Sequence, residues 1–114
     1  MPQRYHLTLA DPARARGADP ALSFHSASAE GFAAELQAAL RTTVLFDVWR
    51  AQQEDPDAVD PALATTDPQA QVSGAQNHLK IDLVATTSIP GNVLRHRLRL
   101  LAGSGWALHD VTAA

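Results

Sequence analysis

Tyr5, Leu7 and Leu9 alternate with His6 and Thr8, the period of a strand with one face in a core and one toward water. Ala10-Asp11-Pro12 stops it, and residues 10–23, with two Asp-Pro steps and a glycine, predict an irregular connection. Beyond Ser26 the period changes. Phe32, Leu36 and Leu40 recur every fourth residue beside Ala29, Ala33 and Ala39, a narrow apolar stripe on a helix. Ser28 is placed to cap it, Glu30 suits the positive end of its dipole, and Thr42-Thr43 ends it. Val44-Leu45-Phe46-Asp47-Val48-Trp49-Arg50 is rich in β-branched and aromatic residues and predicts a second strand, with Val44, Phe46 and Val48 inward and Leu45, Asp47 and Trp49 outward.

Residues 51–77 carry Glu54, Asp55, Asp57, Asp60 and Asp67, three Asp-Pro steps and no basic residue. So little apolar surface does not offset ordering entropy, and Asp-Pro resists both helix and sheet, so a long, acidic, mobile loop is expected between the second and third strands. Leu79, Ile81, Leu83 and Ala85 alternate with His78, Lys80, Asp82 and Val84 as the third strand. A second helix follows from about Ile89 to Ala102, capped by Ser88 or Asn92 according to where Pro90 sits and stopped by Gly103-Ser104-Gly105. Trp106 to Val111 is a short last strand, in which Trp106 and Leu108 compete with Ala107 and Val111 for the core.

Strand, helix, strand, strand, helix, strand resembles the ferredoxin-like superfold in element order. The expected fold is therefore an α+β sandwich, βαββαβ, with both helices on one face of a four-stranded antiparallel sheet and the first and third strands central. The 114 residues suffice for a single domain spanning 1–114, and the superfold hosts many unrelated activities, so function has to come from side chains.

Composition narrows the classes. Net charge is −3, which argues against nucleic acid or anionic lipid as a partner. No apolar run approaches the roughly 18 residues that cross a membrane, and the first residues lack the apolar run of a signal peptide, so cytoplasmic residence is expected. With no cysteine there is neither disulfide nor thiolate ligand nor the Cys-x-x-Cys pair of metal chaperones. The third strand has no aromatic on which a base could stack, and no nucleophile elbow or His-Glu-x-x-His helix is present. No cofactor and no dedicated metal site is expected.

The open sheet face should display His6, Thr8, Lys80, Asp82 and Val84, with Leu45, Asp47 and Trp49 from the second strand. If His109 joins them, His6, Asp82 and His109 form a metal-ligand set or an acid–base group, although alternation alone puts polar residues on such a face. Trp49, Leu45, Asp47 and Lys80 are the expected contacts for a protein partner or a second copy, as exposed aromatic and aliphatic side chains suggest, with Trp49 packed under a helix at the sheet end as the alternative. On the second helix Arg95 and Arg99, with His96 nearby, face away from the leucines and are candidates for an anion contact, or simply for a solvated face. Arg97 falls inside the apolar arc and is expected either to snorkel past the core edge or to pair with a carboxylate, with Asp82, Asp47 and Asp110 as candidates. Thr86 to Asn92 sets hydroxyls at a helix start, where an anion or a sensed small molecule can bind.

The leading expectation is a non-enzymatic interaction module that uses its open sheet face, including as a homodimer. The alternative is a small enzyme in which two sheets close into a dimeric α+β barrel, with His6, Asp82 and His109 as its chemistry.

Overall fold

The computed structural model describes residues 2–114. The first alternation becomes β1 (Gln3–Leu9), with Tyr5, Leu7 and Leu9 buried and His6 and Thr8 half-buried on the other side. The stripe of Phe32, Leu36 and Leu40 becomes α1 (Ala29–Arg41), and its Ser28 hydroxyl accepts the Gly31 N–H at 3.0 Å as the N-cap.

Val44 to Ala51 departs from expectation. It is a helix, α2 (Val44–Ala51), not the second strand. Leu45, Phe46 and Trp49 share one side of it. Phe46 is buried and the other two are half-buried, whereas Val44 and Val48, the expected inward residues, are 67% and 40% exposed. Asp47 in the first turn accepts the Thr43 hydroxyl at 3.0 Å and suits the dipole there.

The strand that takes the vacated place is β2 (Gln71–Asn77), drawn from the end of the expected acidic loop. Its outer edge is tied to α1: Val72 N–H donates to Gln37 Oε1 at 3.0 Å, and Arg41 Nε donates to the Ala70 carbonyl at 2.7 Å. A two-residue turn, with His78 in the left-handed region at φ 57°, leads into β3 (Lys80–Thr87). Leu79, expected to point inward, sits in that turn and is 85% exposed. The remaining elements are α3 (Gly91–Ala102), which begins after Pro90 with no side-chain cap, and β4 (Ala107–Ala113).

The result is an α+β fold with a four-stranded antiparallel sheet in the order β2-β3-β1-β4 and three α-helices. β1 and β3 are central. Their inward residues Tyr5, Leu7, Leu9, Ile81, Leu83 and Ala85 form one core with Phe32, Leu36 and Leu40 of α1 and Val93, Leu94 and Leu98 of α3. The connection between α2 and β2 is shaped by short 3-10 turns at Pro56–Ala58 and Pro61–Ala64. Its far end is anchored where Asp67 N–H donates to the Leu40 carbonyl at 2.8 Å. No helix among the described residues is long and apolar enough to cross a membrane.

Candidate functional site

β4 settles which residues share the open face. Leu108 pairs with Leu7 and Asp110 with His6, so the strand holds one extra residue, His109, as a bulge. Trp106 and Leu108 pack against the core, and Trp106 Nε1 donates to the Gly103 carbonyl at 3.0 Å. The bulge turns His109 to the open face, where its Nε2 lies 2.6 Å from Thr8 Oγ1. Thr8 in turn donates to Asp82 Oδ1 at 2.8 Å, and Asn77 Nδ2 reaches Asp82 Oδ2 at 3.4 Å. The Thr8 hydroxyl has one proton and gives it to the carboxylate, so it accepts from His109, which places a proton on His109 Nε2. The row thus crosses all four strands in the order β4, β1, β3, β2.

His6 lies on the same face, beside Val84 and Asp110 in register, and its Nε2 is 3.1 Å from Thr112 Oγ1. His6, Asp82 and His109 therefore occupy one face, but a threonine stands between the acid and the nearer imidazole. No three His, Cys, Asp or Glu side chains among the described residues could hold a metal ion.

The expected binding set does not assemble. Lys80 opens β3 on the sheet, whereas Leu45, Asp47 and Trp49 ride on α2 in the helical layer. Trp49 packs its ring edge-to-face against His96 of α3, with centroids 4.4 Å apart. The sheet face thereby loses its aromatic anchor. A mostly apolar groove of 250 Å³ lies between α1 and α2, lined by Leu22, Ala38, Leu45 and Val48 with His25 and Glu35 at its polar side, where the Glu35 carboxylate already accepts the His25 and Ser26 N–H groups at 3.0 and 2.7 Å.

Arg95 and Arg99 are exposed on α3. Arg97 is fully buried and has none of the expected carboxylates: Asp82 and Asp110 belong to the opposite sheet face, and Asp47 bonds to Thr43. Its Nη2 donates instead to the carbonyls of Leu63, at 3.1 Å, and Thr65. Burial pulls its pKa down, though a guanidinium stays charged. Taking such a charge out of water costs on the order of several kcal/mol, and sequence alone does not reveal that backbone of the acidic connection supplies the partners.

Two donors just ahead of α3 are already engaged. The Asp67 carboxylate accepts Thr87 Oγ1 at 2.8 Å and the Ser88 N–H at 3.0 Å. Burial raises the Asp67 pKa, but these hydrogen bonds outweigh it and hold the acid below its ordinary value. An acid of the chain itself thus takes two of the groups considered for an anion or sensed ligand.

His96 is the titratable group most affected by the α2–α3 contact. Burial lowers its pKa below the ordinary 6.5, and Arg97 and Arg99 push it the same way. The unfolded chain then takes up this proton first as pH falls below about 6.5, so stability present above that pH is lost as pH falls toward the folded pKa. Urea midpoints at pH 7.5 and pH 5 should therefore drop more for the wild type than for His96→Phe, which keeps a ring against Trp49 and removes the proton site. Equal drops would mean that His96 carries no proton linkage.

Comparison of the chain with protein-family models, curated proteins and solved structures gives no match.

Proposed function

We propose that this protein is a non-enzymatic interaction module that presents the open face of its sheet to a protein partner, in the first instance a second copy of itself. The observation that carries this reading is the hydrogen-bonded row His109–Thr8–Asp82–Asn77. Side chains already held in place lose less entropy when a partner docks. The face also carries both signs, with Arg4 and Lys80 against Asp82 and Asp110, so a copy related by a two-fold axis can set each charge against its opposite. With Trp49 elsewhere the contact is polar and wet, and its strength should fall with salt. In this proposal the chain is a ferredoxin-like sandwich with α2 added, supported by the first and third strands at the centre and the second and fourth at the edges. Cytoplasmic residence goes with this reading, on the cysteine-free composition.

The dimeric-barrel enzyme remains a second reading because Asp82 holds the Thr8 hydroxyl that orients His109, which is how a base is fixed in one tautomer. Acid–base work needs a site shielded from water, and a facing copy is what would supply it. Both readings are tested by sedimentation together with amide spectra across a dilution series. The interaction module predicts concentration-dependent shifts at His6, Thr8, Asp82, Val84 and His109, weakened by salt and lost in Asp110→Lys. A strict monomer at high concentration, or shifts confined to the helical layer, would overturn self-association through this face.

A further inference from the structure

Arg97 is the largest side chain wholly shielded from solvent. Both hydrogens of its Nη2 go to carbonyls of the connection, and its Nε and Nη1 find no partner among the described residues. The preceding residue repeats the pattern, since His96 Nδ1 is also buried without a partner. The His96 ring packs against Trp49 of α2, and the Arg97 guanidinium bonds to the Pro61–Ala64 turn through Leu63. Buried polar groups in a native fold nearly always have partners, and the unpaired N–H groups of Arg97 call for an acceptor. The only ion pairs among the described residues, Arg14–Asp11 and Arg50–Asp57, lie on the surface and leave Arg97 without a counter-charge.

Neutral carbonyls satisfy two N–H groups but neutralise nothing, whereas an oxyanion does both in one fork-shaped contact. The element over the guanidinium is also the one that can yield. Pro61–Ala64 is a single 3-10 turn, exposed at Pro61 and Ala62, with no buried residue. We propose that the α3 flank beneath this turn is a binding site for a small oxyanion, a carboxylate or phosphate group, which the Arg97 guanidinium receives in place of the Leu63 and Thr65 carbonyls, with His96 beside it. The site is separate from the open sheet face and stands whether or not the protein self-associates.

The full chain is titrated with inorganic phosphate and, in parallel, with acetate, each against chloride at matched ionic strength, with amide shifts as the readout. Saturable shifts at Leu63–Asp67 and His96–Leu98 are expected, together with a rise in thermal midpoint that chloride does not give. Response to both anions identifies a general oxyanion site, and response to one alone assigns the class. Arg97→Met should weaken binding at least tenfold. If that variant does not fold, His96→Gln should still weaken it, and the wild-type shift map alone decides the location. Shifts identical in chloride, or saturable shifts centred on exposed Arg95 and Arg99, would overturn the proposal and leave Arg97 as a pin for the turn.

Discussion

Replacing Gly74 by alanine should destabilise the protein, lowering the urea midpoint by an amount equivalent to about 1–3 kcal/mol, the usual cost of overpacking. A Cβ at Gly74 would lie 2.4 Å from the Ala29 carbonyl oxygen and 3.0 Å from its carbon, so the first residue of α1 would have to lift off the sheet. These are backbone atoms, which do not swing aside as a side chain end can. A glycine inside a strand is commonly the mark of such a close approach. The control is Gly91→Ala in the first turn of α3. There the nearest atoms belong to the Tyr5 ring at 3.9 Å, and alanine should stabilise by up to about 1 kcal/mol through helix propensity and a less free unfolded chain. Were residues 71–77 part of a mobile acidic loop, both substitutions would be neutral or stabilising. Opposite signs are the signature of β2 beneath α1.

That strand was hidden in the sequence for a physical reason. Gln71-Val72-Ser73-Gly74-Ala75-Gln76-Asn77 has one β-branched apolar residue, and its stability comes from pairing with β3 and from Gln37 and Arg41 of α1, contacts that the segment's own composition does not show. Nor does Asn77-His78-Leu79 hold the Asn-Gly step that announces a tight hairpin. The opposite error befell Val44–Arg50. Its composition favours a strand, but a short run of apolar residues fits either period, and Leu45, Phe46 and Trp49 at helical spacing meet a surface already formed by α1 and α3. On the open face, alternation alone located His6, Thr8 and Asp82, since β1 and β3 are regular. His109 could not be placed in that way. One bulged residue reverses the alternation, and the bulge exists only in the pairing of β4 with β1. Arg97 was legible as a misfit in an apolar arc, but its carbonyl partners lie more than thirty residues earlier in a segment with no regular pattern.

Phe32→Ala should remove about 3–5 kcal/mol, a large part of the roughly 5–15 kcal/mol that holds a domain folded. Phe32 has no exposed surface, and its ring meets Phe24 edge-to-face with centroids 4.9 Å apart and planes at 84°. Such an aromatic pair contributes about 0.5–1.5 kcal/mol beyond the area it buries. The Arg16 guanidinium carbon lies 5.3 Å from the same ring while its Nη2 donates to the Ser26 carbonyl at 2.7 Å. Phe32 is therefore one point at which α1 grips the irregular segment between β1 and α1, beside Glu35, whose carboxylate accepts the His25 and Ser26 N–H groups at 3.0 and 2.7 Å. That segment is also stitched to α3, with Gly17 N–H and Phe24 N–H both donating to the Leu101 carbonyl, at 3.1 and 2.8 Å. If the aromatic grip dominates, a milder Phe32→Leu should raise hydrogen exchange at Gly17 and Phe24 well before it affects β1 or β3, and should couple with Phe24→Leu in a double-mutant cycle. Additive losses, with both amides as protected as the central strands, would show that the hydrogen bonds to Leu101 and Glu35 hold the segment and that Phe32 contributes by filling volume.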